Sequence, residues 1–266
     1  MKRLLMISAL TTVLTGGGAA AETVNLYAAG SLKAALGDVA RAFEAASPGH
    51  RVATTFAASG LLRGRIEAGE QAHVFASANM AHPKKLADAG TADGPVRRFA
   101  TNRLCALTQG GLGVKPETLL ARMLDAKTRV GTSTPKADPS GDYAFQMFAK
   151  AEAVHPGARA ALEAKAMQLT GGPTSEKAPA GRNQYGWVMS SGKADIFLTY
   201  CTNAVLARKD TPSLEIVRIP EQLAVGADYG LIVMKNAPAA AAALAELILA
   251  PTGQKILAGY GFGPAK

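Results

Sequence analysis

The sequence predicts an α/β fold in which mixed, mostly parallel sheets are flanked by helices. Three observations carry that expectation. Short apolar runs alternate with segments whose apolar residues recur every three or four positions. The alternation begins as β-α-β-α-β and is taken up again in the middle third of the chain. Three of the predicted strands run into small polar turns, each of which opens a helix.

In chain order, Lys2 and Arg3 precede an apolar stretch from Leu4 to about Leu14, Gly16-Gly17-Gly18 breaks it, and Ala19-Ala20-Ala21 follows. This is the anatomy of a secretory signal peptide occupying residues 1–21, cut after Ala21. The stretch is shorter than the roughly 20 residues that span a bilayer. Residues 24–29 then read as a buried strand ended by Gly30-Ser31. Leu32, Leu36, Val39, Ala40 and Phe43 form a helical face, with Ser31 in the N-cap position and Pro48-Gly49 as the stop. Residues 52–57 make a second strand. Ser59 precedes a helix bearing Leu61, Leu62 and Ile66 and closed by Gly69, and residues 74–77 make a third strand.

Residues 103–107 read as a strand, and Pro116 opens a helix with Leu119, Leu120 and Met123 on its face. A strand at 129–131 enters a polar loop ending in Asp138-Pro139-Ser140-Gly141, followed by a helix lined by Tyr143, Ala144, Met147 and Phe148. Strands are expected at 196–200, 214–219 and 229–234. An Ala-rich helix is expected over about 238–249 and a shorter one over 253–257.

Removing 21 of 266 residues leaves 245, enough for one large or two ordinary domains. The formal charge of +9 falls by two when Lys2 and Arg3 leave with the leader. The cations are scattered among carboxylates, so nothing forms the basic stripe of a nucleic-acid binder. The surplus charge does favour small anions mildly. Cys105 and Cys201 are the only cysteines, and in an exported chain they predict one disulfide. His50, His73, His82 and His155 have no metal-ligand spacing, so neither a metal nor a cofactor is expected.

Gly30-Ser31, Ala58-Ser59-Gly60 and Pro139-Ser140-Gly141 are the three turns with chemical content. Each offers a helix N-terminus, whose first N–H groups lack intrahelical partners, beside a serine hydroxyl. In open parallel sheets, ligands settle past the carboxyl ends of the strands, where these turns fall. A serine at a helix start is also an ordinary N-cap. The residues alone therefore reach only a binder of a small anion or small polar ligand.

The stretch Leu26-Tyr27-Ala28-Ala29-Gly30-Ser31-Leu32 resembles the opening of the periplasmic molybdate-binding proteins, the capture components of ABC importers. The resemblance continues through residues 56–60, 65–69, 72–79 and 139–144, and ends at 253–257 and 260–262. It implies a two-lobed type II periplasmic binding protein with a two-strand hinge, residues 22–101 plus 231–266 forming lobe 1 and 102–230 lobe 2. It also implies a monomer that captures molybdate or tungstate without charged side chains and delivers it to a membrane permease. By the same resemblance Ser31 and Ser59 supply hydroxyl and N–H donors from lobe 1. Ser140 and Arg182 supply backbone N–H groups, and Tyr200 supplies a hydroxyl.

Residues 181–187 depart from the family's usual sequence, and their Arg182, Asn183 and Gln184 side chains could enter the cleft. In that case the ligand is another oxyanion or a small carboxylate, with Arg182 as a charged clamp. An exported hydrolase is the least favoured reading. Ser190-Ser191-Gly192 and the four histidines form neither a nucleophile elbow nor an ordered Ser, His and Asp set.

Overall fold

A computed structural model describes residues 22–265. The expected signal peptide and its cut after Ala21 lie outside the described residues. Strand β1 (Glu22–Ala29), helix α1 (Lys33–Ala46), β2 (His50–Ala57), α2 (Ser59–Glu67), β3 (Val74–Ser77) and α3 (Ala81–Asp88) follow in order. β1 pairs in parallel with β2 and β3. Next come β4 (Ala92–Thr108), α4 (Leu119–Leu124), β5 (Val130–Ser133), α5 (Pro139–Val154), α6 (Ala158–Lys165) and β6 (Met167–Thr170). The chain closes with α7 (Gln184–Ser190), β7 (Ile196–Tyr200), α8 (Cys201–Asp210), β8 (Glu215–Arg218), β9 (Gly226–Met234), α9 (Ala239–Leu249) and α10 (Pro251–Gly259).

The strand order is β2-β1-β3-β9-β4-β7-β5-β6, with β8 also on β4. β4 joins the two halves of this arrangement. Its pairing with β9 runs from Ala92 to Arg103, and its pairing with β7 starts at Leu104, opposite Tyr200. One 17-residue strand therefore serves both half-sheets. The sequence pattern showed only its second part, because Asp93-Gly94-Pro95 reads as a turn. The structure absorbs that tripeptide in a register shift between Asp93 and Arg97, where Gly94 takes φ 84° and Pro95 needs no ladder partner.

Helices cover both faces of each half-sheet, which is why the strands read as continuous apolar runs. In the first half, Leu36, Val39 and Phe43 of α1 pack with Leu244 and Ile248 of α9 on one face. Leu62 of α2 and Leu86 of α3 pack against Phe75 and Ile232 on the other. In the second half, Met147 and Phe148 of α5 cover Val130, Ile196 and Leu198. Val188 and Met189 of α7, with Ala204 and Ala207 of α8, cover Leu107 and Phe197 on the opposite face. Four of these helices, α3, α6, α7 and α8, had no clear sequence signal. In α8 the reason is plain: its buried face opens with Thr202 and Asn203, only 4% exposed each, so apolar periodicity is missing. Cys105 of β4 and Cys201 at the start of α8 are bonded, with Cα atoms 4.8 Å apart. The bond ties the turn after Tyr200 to the second part of β4.

Candidate functional site

The three serine turns lie at the carboxyl ends of β1, β2 and β5. The serines do not cap their helices as the sequence suggested. Ala29, Ala58 and Asp138 hold the N-cap positions, and each serine falls one or two residues inside. The backbone is still extended at Ala58 and Asp138, beyond the ends of β2 and β5, so these helices start one and two residues earlier than a serine cap would imply. The hydroxyls are thereby released from local capping.

A chain of contacts then links four of the five expected residues. Ser31 Oγ lies 3.1 Å from the Tyr229 hydroxyl, which accepts a hydrogen bond from Asn102 Nδ2 at 3.2 Å. The Tyr229 and Tyr200 rings stand 5.5 Å apart. Tyr200 OH donates to the Ala78 carbonyl at 3.2 Å, while the Ala78 N–H donates to Ser59 Oγ at 3.1 Å. Beside Ser59, the Gly60 N–H donates to the Ala137 carbonyl at 2.8 Å, and Ala137 leads through Asp138 to Ser140. Ser59 and Ser140 are fully buried and Tyr200 is 1% exposed.

The hydroxyls differ in what they have left to offer. Ser59 Oγ accepts from Ala78 and keeps its own proton. Tyr229 accepts from Asn102, so it can donate to Ser31 Oγ and leave the Ser31 proton available. Ser140 Oγ has no partner among the described residues. The Tyr200 proton is engaged by Ala78. Burial raises the pKa of both Tyr200 and Tyr229, so they remain neutral hydroxyls. No lysine or arginine side chain takes part in these contacts.

Two of the expected backbone donors have internal partners in this structure. The Ser140 N–H donates to Asp138 Oδ1 at 3.0 Å instead of facing outward. Arg182 stands elsewhere: its guanidinium pairs with Asp210 at 3.1 Å, and its N–H donates to the Pro179 carbonyl. Asp210 ends the ten-residue α8 that Tyr200 precedes, about 15 Å of helix away. Asn183 Oδ1 caps α7, accepting from the Tyr185 and Gly186 N–H groups, and Gln184 bonds to the backbone of Glu176 and Ala178. The Asp210 carboxylate draws Arg182 and Asn183 toward the α7–α8 face, accepting from the Arg182 guanidinium and the Asn183 N–H, while Gln184 is held by the 176–178 loop.

Sequence reasoning missed Tyr229, Asn102 and Asp138 as members of the site. Tyr229 and Asn102 sit in strands, where nothing distinguishes them from core. Asp138 carried a readable signal, since Asp followed by Pro at the first helical position is an N-cap signature. His73 and Asn79, which flank β3, have structural partners. His73 Nδ1 accepts from the Asn25 N–H, and Asn79 Oδ1 accepts from the His82 N–H.

A groove of ≈ 630 Å³ adjoins the cluster at Asn79 and Tyr143, but Asp142, Glu163 and Asp228 line it against the single cation Arg159. That balance disfavours it as an anion seat. Among the described residues no helix is long and apolar enough to cross a membrane, and no group of His, Cys, Asp and Glu is placed to hold a metal ion.

Comparison with known proteins gives a consistent family. The model of the bacterial extracellular solute-binding proteins matches residues 24–263. An uncharacterized Pasteurella multocida protein is 38% identical over 217 residues, covering 81% of this chain and 88% of its own. The Mycobacterium tuberculosis molybdate-binding protein ModA is 29% identical over 247 residues, covering 91% and 85%. The solved periplasmic molybdate-binding protein of Azotobacter vinelandii superposes with a TM-score of 0.70 at 20% identity, over 90% of this chain and 98% of that one. The sulfate-binding protein SubI of M. tuberculosis gives 0.73 at 18% identity, over 91% and 87%. The fold is that of the type II periplasmic binding proteins.

Proposed function

The chain belongs to the bacterial extracellular solute-binding proteins, and from that premise we propose that it captures a molybdate- or tungstate-type tetrahedral oxyanion for an ABC importer. The observation that carries this reading is the chain of contacts linking Ser31, Ser59, Ser140 and Tyr200 from four separate turns, all buried but the half-buried Ser31, with no lysine or arginine side chain among them. A dianion held by neutral groups needs nearly every oxygen paired, because an unpaired buried charge is very costly. The unspent protons of Ser31, Ser59 and Ser140 and the first-turn N–H groups of Ser31 and Ser59 are donors of that kind.

We take residues 22–101 with 231–266 as one lobe and 102–230 as the other, with β4 and β9 as the crossing strands. The change of β4 partners at Arg103 and Leu104 supports that division. Export to the periplasm, a monomeric state and delivery to a membrane permease belong to the same reading.

A different small anion is the second reading, because neutral hydroxyl and N–H donors pair with any small oxyanion and do not by themselves single out molybdate. The Arg182 clamp gives it no support, since Asp210 holds that guanidinium. Thermal melting separates the two. Molybdate or tungstate in excess should raise the melting temperature of the exported protein, and sulfate should not. A flat response to both metal oxyanions beside a shift with sulfate, phosphate or a small carboxylate would overturn the first reading.

A further inference from the structure

Among the described residues, the Tyr229 hydroxyl is the one hydrogen-bonding partner of Ser31 Oγ, at 3.1 Å. Either oxygen could donate at that distance, and Asn102 fixes which one does. Asn102 Oδ1 accepts the Arg103 N–H at 2.9 Å, so the two ends of the amide are told apart by a group that can only donate. Asn102 Nδ2 then donates to Thr202 Oγ1 at 2.9 Å and to the Tyr229 hydroxyl at 3.2 Å. Both amide protons are spent, and the Tyr229 oxygen is an acceptor. The Tyr229 proton therefore goes to Ser31 Oγ, and the Ser31 proton has to point away from Tyr229.

The surroundings hold this relay in one direction. Tyr229 is fully buried, and Thr202 and Asn102 are 4% and 7% exposed, so water has little access to reverse it. The Tyr229 ring stands edge-on to Phe99 and Phe262. Asn102 lies on β4 opposite Ala227 of β9, and Tyr229 lies on β9 opposite Ala100 of β4. Thr202 follows Cys201, which is bonded to Cys105 of β4. The relay thus begins at the start of α8, passes through both crossing strands and ends on a serine of the first half-sheet.

Resting on the oxyanion reading above, we propose that Asn102 and Tyr229 are positioning residues that lock the Ser31 hydroxyl as a donor to the bound oxyanion. A free serine hydroxyl can donate or accept, and the lock removes that choice before the anion arrives. Less orientational freedom is then lost on binding. The anion oxygen at Ser31 has to be ionised, because a protonated one would meet a fixed proton.

Calorimetric titration of the exported protein, of Tyr229→Phe, of Ser31→Ala and of the double variant tests this, with molybdate, tungstate, sulfate and phosphate as probes. Tyr229→Phe keeps the ring and removes the lock, so affinity for the anion that binds should fall about three- to tenfold. Ser31→Ala keeps the backbone N–H, so a weaker complex remains. In that background Tyr229→Phe should change affinity by less than about twofold, because its effect travels through Ser31. Equal losses in the two backgrounds, or no loss in either, overturn the proposal and leave the oxyanion reading standing. Failure of the unsubstituted protein to bind any of the four anions overturns both. Asn102→Ala, which leaves Tyr229 in place, runs the same cycle with the same outcomes and decides the matter if Tyr229→Phe does not fold.

Discussion

The Gly60 N–H donates to the Ala137 carbonyl at 2.8 Å, bringing the start of α2 in the first half-sheet against the loop that enters α5 in the second. Only glycine permits that approach: a Cβ on Gly60 would stand 2.3 Å from the Lys136 carbonyl oxygen and 2.7 Å from that of Ala137. Lys136 itself takes a left-handed φ of 68° in this loop. The Tyr200 to Ala78 hydrogen bond is a second tie between the halves, 3.2 Å long.

Gly60→Ala tests the first tie. In an exposed helix interior that change would stabilise by about 1 kcal/mol. Here the sign should reverse, because the new methyl meets backbone oxygens that cannot rotate away. A lower melting temperature, a larger radius of gyration by small-angle scattering and at least tenfold weaker oxyanion binding are expected. A more stable, equally compact variant would show that the approach is not needed.

Asp138→Asn separates burial from capping. A carboxyl raised to about 6 from an ordinary 3.8 contributes stability that is complete below pH 4 and is lost as pH rises through 6. By pH 7.5 the loss is up to about 3 kcal/mol. Asn keeps the oxygen that accepts the Ser140 N–H and forgoes only about 0.3–1 kcal/mol of charge–dipole attraction. The variant should therefore be the more stable protein at pH 7.5, with its advantage shrinking between pH 6 and 4. Urea midpoints at several pH values check this, and parallel pH profiles for the two proteins would refute it.

Tyr200→Phe removes the donor to Ala78 and leaves a buried carbonyl unpaired. A stability loss of about 1–3 kcal/mol is expected. If the hydroxyl also turns to the ligand, oxyanion affinity falls by a similar free energy, about tenfold or more. Equal affinity with reduced stability would assign Tyr200 to the junction alone.

Reducing the Cys105–Cys201 bond opens a loop with a sequence separation of 96. Loop-closure entropy puts the cost at up to about 4–5 kcal/mol. Melting with and without a thiol reductant should show a fall of several degrees or more. An unchanged transition would mean the unfolded chain gains little freedom on reduction.

Arg182→Ala should leave oxyanion affinity unchanged. Its ion pair with Asp210 is 41% exposed on the arginine side, so the stability cost should stay below about 1 kcal/mol. A tenfold loss of binding would return Arg182 to the site and favour the charged-clamp reading.

The first half-sheet was largely legible in the sequence. Strand 74–77 has the same bounds in the structure, and the helices after Ser31 and Ser59 appear where their apolar spacing put them. The second half was read less well. α6, α7 and α8 are short or bury polar residues, and β6 has only four residues, so periodicity had too little length to register. In the site, the serine turns were legible because small residues before an amphipathic run mark a strand-to-helix passage.

By itself the sequence determined the α/β alternation, the cysteine pair available for a disulfide and the three hydroxyl-bearing turns. Those features depend on residues near one another in the chain, where backbone geometry and apolar spacing act directly. Tertiary structure decided which donors remain free. Tyr200 gave its proton to Ala78, and Arg182 was drawn to Asp210. These two partners are 122 and 28 residues away in sequence. Their competition for a donor is set by distance in space, which no local pattern encodes.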